Sequence, residues 1–425
     1  MPRHQWRLCS GLLLAAGCWA QTSNSPRTLT WQETEAIFRT NNPTLLAGRV
    51  NIDESRADEI TAYLRPNPDL SLTADGTQIT PHSGVWRPLS GTFYSPNFSY
   101  LHEREHKREL RLASARQATA IAISTQADLE RTLIYNLRDA FVRVLTSKAV
   151  LGVARENLTY YDKEIDINRE RFKAGGISKA DFQRVELQRV QYESDLETAE
   201  VNLRTAKIDL IALLRNQVPV DEFDVEGQFE FSDVSKTLPD LRQIALTTRP
   251  DLKEALQSVE KARTDHQLAI ANGSTDPTFG GWYTHNGSFN NPDAYNTIGL
   301  SVSIPLRIFD RNQGEKLRTQ LDIGRNEKLR DAAQVTALHD VDSAYATLQS
   351  TLALLHPYKD KYLKEAEEVR DTVAFAYQHG AASLIDFLDA QKDYRATQLS
   401  YVNLVGSYLS AANELNLAVG SEVIR

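Results

Sequence analysis

No proline interrupts residues 103–218, and this unbroken stretch limits the chain to a few architectures. Within it Leu129, Leu133, Leu137, Phe141, Val144 and Leu151 recur at helical steps. Farther on, Val335, Leu338, Val341, Tyr345, Leu348, Leu352 and Leu355 keep the same rhythm. Such stripes predict coiled-coil-like helices. A helix over about 103–174 would be roughly 105 Å long at 1.5 Å per residue. A rod of that length cannot bury its own stripe, so neighbouring helices must cover it. A purely structural coiled coil would carry the same pattern.

The chain also repeats itself. The run Phe172 to Phe182 aligns without gaps on Tyr377 to Phe387, a constant separation of 205 residues, and Gly, Ser, Asp and an aromatic residue recur at matched places. Ala206 and Leu210 match Ala411 and Leu415 at that separation, and Asn42-Pro43 precedes Arg249-Pro250 by 207. Identities spread over most of both halves indicate duplication. The expected plan is a signal peptide over 1–20 and a first repeat over 21–215. That repeat holds strands near 68–76 and 92–101 and long helices near 103–174 and 178–215. A linker over 216–237 follows, its acidic part Pro219 to Asp233 expected to have little regular structure. The second repeat spans 238–421, with strands near 277–286 and 295–306 and long helices near 312–379 and 383–420. The fold class is therefore mainly α with a small β part, built on duplicated long antiparallel helical hairpins.

The strands point to a membrane. Thr297, Gly299, Ser301 and Ser303 alternate with Ile298, Leu300, Val302 and Ile304, and Leu70 to Ala74 alternates in the same way. Trp86, Phe93, Tyr94, Phe98, Tyr100, Trp282, Tyr283 and Tyr295 lie nearby. This alternation with flanking aromatics is the signature of a membrane barrel; a hairpin half-buried on a soluble core would read alike. Four strands per chain fall short of the roughly eight of the smallest bacterial barrels, so closure requires several chains.

Arg3 and Arg7 precede a short apolar run from Leu8 to Gly17, and Cys18-Trp19-Ala20 suits cleavage before Gln21. Leu14 to Cys18 also resembles a lipoprotein processing box, which would leave Cys18 lipidated. Cys9 and Cys18 are the chain's two cysteines, so the exported chain has no disulfide framework. The formal net charge of −8 argues against nucleic acid as a partner. No apolar run reaches the roughly 18 residues of a membrane-spanning helix.

His102-Glu103-Arg104-Glu105-His106 is a literal H-E-x-x-H, the pattern with which one helical face binds zinc in a protease. No histidine follows at the third-ligand position, where Leu112 stands, and the run of alternating charges reads better as a solvated helix start. The two repeat turns carry more. Gly175 and Gly380 suit positive φ at a helix end, Ser178 and Ser383 suit capping of the next helix, and Asp181 and Asp386 sit near its positive end. Asp386 and Asp389 are three apart on one helical face, whereas Arg184 takes the place of Asp389 in the first half.

Duplicated helix–ββ–helix halves, an export signal and paired Gly-x-x-Ser-x-x-Asp turns resemble the TolC-type outer-membrane efflux channels. The segment Ile304 to Gly314 is similar to the cobalt–zinc–cadmium efflux branch. The resemblance implies a homotrimer in the outer membrane, whose twelve strands close a barrel over a periplasmic helical tunnel. It implies a periplasmic adaptor and an inner-membrane pump of the resistance–nodulation–division type as partners, no cofactor and no covalent chemistry. It places adaptor docking at Gly175, Gly176, Ser178, Gly380 and Ser383. It also places an acidic constriction at Asp386 and Asp389 and a gate contact between Tyr377 and Asp181. A second gate link of the family uses Arg and Thr, where this chain has Ala382 and Ala180. Metal cations are the first expectation for cargo, with drugs and other small molecules next. A type I protein-secretion duct, a soluble periplasmic coiled coil and a zinc protease are the alternatives.

Overall fold

Each half begins with a pair of short helices that meet end to end. In the computed structural model, which describes residues 27–89, 91–215, 217–286 and 295–424, these are α1 (Trp31–Asn41) and α2 (Pro43–Tyr63). Thr30 and Glu33 form a capping box at the start of α1, and the Asn42 side chain accepts from Thr44 N and Leu45 N at the start of α2. The expected signal peptide and Cys18, with the choice between cleavage and lipidation, lie outside the described residues.

Strands β2 (Asp69–Asp75) and β3 (Phe93–Leu101) lead into α3 (Lys107–Lys173), which returns as α4 (Lys179–Leu214). The second half repeats the order: α5 (Leu238–Thr248), α6 (Pro250–Asn272), β5 (Thr278–Asn286), β6 (Asn296–Ser303), α7 (Gln313–Pro357), α8 (Leu363–Gln378) and α9 (Leu384–Val419). At 67 residues α3 is about 100 Å long. It is covered in sections: α2 packs on it toward the strands and α4, 36 residues long, packs toward the turn. Helices α6 and α9 cover α7 in the same way.

The four strands form one antiparallel sheet in the order β2-β3-β5-β6. Register sorts the side chains by face. Leu70, Phe98, Gly281 and Leu300 lie in one row across the sheet, while Ser71, Asn97, Trp282 and Gly299 lie in the next row on the opposite face. Ile298 and Leu300 are 82% and 83% exposed, and Leu70 and Leu72 are exposed with them. Among the described residues nothing covers this apolar face, and the sheet's outer strands are β2 and β6.

Four expectations need correction. First, the linker, expected to have little regular structure, contributes a strand: β4 (Phe223–Val225) pairs in parallel with β1 (Arg27–Leu29). Phe223 and Val225 are buried against Leu29, and the intervening Asp224 reaches Lys148 at 2.6 Å and Lys207 at 3.1 Å. Second, the helix expected over 312–379 is broken. Pro357 has no N–H to donate, and the ladder slips through a π-turn over Tyr358–Tyr362 before α8 resumes. Third, α3 begins at Lys107 because Glu105 and His106 are left-handed, at φ 56° and 55°. Asn312 makes the same turn at φ 61° before α7. Val335 also leaves its stripe: it is exposed, and Ala337 is buried instead.

The second half replaces the Asn42 cap by a buried ion cluster. Arg249 bonds Asp251 at 2.7 Å and Asp340 at 2.9 Å, and it donates to Ala418 O at 3.0 Å, which ties α6 and α7 to the end of α9. Burial opposes the charge on Asp251, but the Arg249 guanidinium outweighs it and holds the carboxyl below the usual range. Folding thus gains stability that is present above the ordinary aspartate pKa and lost as pH falls through the depressed value. Arg249→Met strands two partly exposed carboxylates and is expected to cost about 2–3 kcal/mol at neutral pH. The loss is measured by denaturant unfolding of the solubilised protein, and the gap to the unaltered chain should narrow in acid.

Candidate functional site

Both hairpin turns follow one local rule. Gly175 and Gly380 adopt φ of +75° and +78°, where a side chain would strain the backbone. Each closes a Schellman motif: Gly176 N bonds Arg171 O at 2.8 Å, and Ala381 N bonds Ala376 O at 2.7 Å. Ser178 Oγ then accepts from Asp181 N at 3.0 Å, and Ser383 Oγ accepts from Asp386 N at 3.2 Å. In the second turn alone the exchange is reciprocal, with Ser383 N donating to Asp386 Oδ2 at 3.0 Å. The hydroxyl and the N–H of Ser383 hold Asp386 below the usual carboxylate range. Asp386 and Asp389 are both exposed.

The turns pack side by side on a shared core of Tyr161, Ile165, Val185, Tyr377, Leu384 and Phe387. Tyr377 is buried and stacks on Phe387 with centroids 4.9 Å apart. Burial pushes its hydroxyl pKa up, the Arg171 charge opposes that, and nearby Asp181 adds to it. Among the described residues no hydrogen bond joins Tyr377 to Asp181, whose carboxylate accepts instead from Ser178 Oγ at 2.8 Å. Ala382 packs against the shared core, and Ala180 is exposed on the first turn. The structure therefore brings together Tyr377, Asp181, the two serines and the glycines at one end of the rods.

Sequence reasoning missed the polar groups just above this end. Arg171, Arg370 and Arg395 each lie against a tyrosine of the opposite hairpin. Glu164 of α3 is buried there and accepts from Gln378 of α8 at 3.4 Å; burial raises its pKa despite that bond. Arginine and tyrosine are ordinary on helix surfaces, so nothing in the one-dimensional pattern marks these pairs.

The H-E-x-x-H run does not form a metal site. His102 follows the last residue of β3, and two left-handed residues separate it from α3, so the histidines never share a helical face. Glu103 pairs with Arg111, and the His102 ring meets Phe279 edge-on at 6.4 Å. Among the described residues no group of three or more His, Cys, Asp or Glu is placed to hold a metal ion.

Comparison with known proteins agrees with this geometry. The family model for outer membrane efflux proteins matches residues 37–215 and 241–421, both halves of the duplication. The cobalt–zinc–cadmium resistance protein CzcC of Cupriavidus metallidurans is 23% identical over 404 residues, covering 92% of this chain and 90% of CzcC. Outer membrane protein TolC of Escherichia coli is 23% identical over 398 residues, covering 86% of this chain and 78% of TolC. Among solved structures, CusC superposes with a TM-score of 0.75 at 18% identity over 93% of each chain. A four-stranded amphipathic sheet, paired hairpins and a family match across both halves lead to one conclusion: the chain belongs to the outer membrane efflux protein family, whose members are passive outer-membrane channels with a periplasmic helical tunnel and not enzymes.

Proposed function

We propose that three copies of this chain form the exit duct of a tripartite efflux system, receiving cargo from a periplasmic adaptor and an inner-membrane pump of the resistance–nodulation–division type. The observation that carries this reading is the exposed apolar face of the β2-β3-β5-β6 sheet, which is stable in water only when lipid or another chain covers it. Three such sheets joined β6 to β2 supply twelve strands and leave no edge. The small residues on the opposite face would then line a wet pore. The name of CzcC, a cobalt–zinc–cadmium resistance protein, supports metal cations as cargo. Complementation decides it. In a host lacking its own duct, the chain with a metal pump and adaptor should restore resistance to divalent metals, and resistance to drugs alone would overturn the cargo.

At the tip, Asp386 and Asp389 from three chains would ring the mouth with six carboxylates that concentrate cations. Replacing both by Asn should weaken cation selectivity and block by multivalent cations in planar bilayers while trimers persist. Unchanged block would remove the ring. The Ser383 cap stabilises the charged form of Asp386, whereas crowding of like charges acts in the opposite direction. Ser383→Ala should therefore move the loss of block, as pH falls, to a higher pH than in the unaltered channel.

Docking of the adaptor would centre on Gly175, Gly176, Ser178, Gly380 and Ser383. Gly175→Leu and Gly380→Leu each force a side chain into a left-handed position at a cost of about 1–2 kcal/mol. The expected result is intact trimers in the membrane, reduced adaptor pull-down and lost resistance. Loss of trimers would instead make the tips purely structural.

A further inference from the structure

Three arginines bridge the two hairpins of one chain, each lying over a tyrosine ring of the other hairpin. Nearest the tip, Arg171 of α3 stands 4.7 Å from the Tyr377 ring of α8. Higher up, Arg370 of α8 is buried between two rings, 4.5 Å from Tyr160 of α3 and 3.9 Å from Tyr394 of α9. Beside it, Arg395 of α9 lies 4.9 Å from Tyr192 of α4 and 3.2 Å from Asp195. Every long helix of the lower rods takes part, and the contacts run in both directions between the hairpins.

Other bonds show that this is a built joint. Glu367 and Asp371 flank the Arg370 guanidinium at 3.4 Å and 2.7 Å, which fixes its plane between the rings. The Tyr394 hydroxyl accepts from Gln398 at 2.7 Å, and Gln398 in turn accepts from Asn157 of α3 at 2.9 Å. A flat guanidinium stacks on an aromatic face and keeps its in-plane donors for carboxylates; a lysine ammonium is a point charge without a planar face to stack. At the tips themselves Ala382 and Ala180 carry no polar side chain, and Asp181 is engaged with Ser178.

We propose that this arginine–tyrosine ladder is the latch that keeps the two hairpins of each chain together at the periplasmic mouth, so that opening the duct means peeling Arg171, Arg370 and Arg395 off their rings. The proposal rests on the channel reading above. It makes the three arginines positioning residues for the mouth, at a distance from any cargo.

The test is the triple variant Arg171→Lys, Arg370→Lys and Arg395→Lys, which retains every charge and removes the planar stack. Two readouts are taken on full-length reconstituted protein. In planar bilayers the triple variant should raise mean single-channel conductance at least threefold with trimers intact, and each single change should raise it less. Spin labels on Asp166→Cys of α3 and Glu368→Cys of α8 report the hairpins directly, and their separation should lengthen and broaden in the triple variant. Conductance within twofold of the unaltered channel together with an unchanged label separation overturns the latch, as does a triple variant that no longer forms trimers. If the unaltered chain conducts nothing, the channel reading fails, and the label separation still decides the latch.

Discussion

A helix of 67 residues bearing one apolar stripe has no stable existence by itself, and nearly every other element answers that problem. Helix α3 meets α2, α4, α6 and α9 along its length. Since α2 and α4 are only 21 and 36 residues long, two short helices in line are needed to cover one long one. That need places a seam midway along the rod. Strands β1 and β4, helix α1 and the buried cluster of Phe38, Leu137, Phe141 and Phe223 gather there, sealing the ends of the covering helices. The second half seals its seam with Leu241, Leu348, Tyr408 and Leu415. The covered stripe explains the fold inside one chain, and the exposed apolar sheet face is what the proposed trimer would cover.

The duplication made both tips legible before any coordinates. Gly175, Ser178 and Asp181 recur as Gly380, Ser383 and Asp386 because a tight helix reversal requires a left-handed residue and then a cap, whatever surrounds it. The four strands were legible because alternation with period two survives in sequence. The pairing of β1 with β4 was hidden, since three-residue strands carry no period and Asp224 looks solvated until Lys148 and Lys207 converge on it. The break after Pro357 is masked in the sequence because the apolar rhythm continues up to Leu355. The H-E-x-x-H run, set aside in the sequence for want of a third ligand, has a further obstacle in the fold: its spacing presumes a helix that two left-handed residues forbid. The arginine–tyrosine contacts of the latch lie 24 to 210 residues apart in sequence, so no local pattern could announce them. Arg370 shows this best, since it joins α3 and α9 from a third helix.

The duplicated halves are mechanically unequal, and the inequalities line up. Helix α3 runs without a break to its tip, whereas its counterpart passes through Pro357 and a π-turn before α8. Sharp bends in helices concentrate at such features, because the hydrogen bonds that would resist bending are missing there. At the far end α9 starts from a full capping box at Ser383, while in the first turn Ser178 and Asp181 exchange only hydroxyl bonds, without the backbone return bond from Ser178 N. The second hairpin thus combines a full cap at its tip with a slipped ladder at the π-turn, whereas α3 of the first hairpin has no such interruption. Arg370 and Tyr377 both lie beyond the π-turn on α8, and Arg395 lies on the α9 segment that packs against it. The aromatic and guanidinium groups therefore clamp the segment that the backbone leaves most able to pivot. The π-turn provides the freedom, and the side chains set how much of it is used.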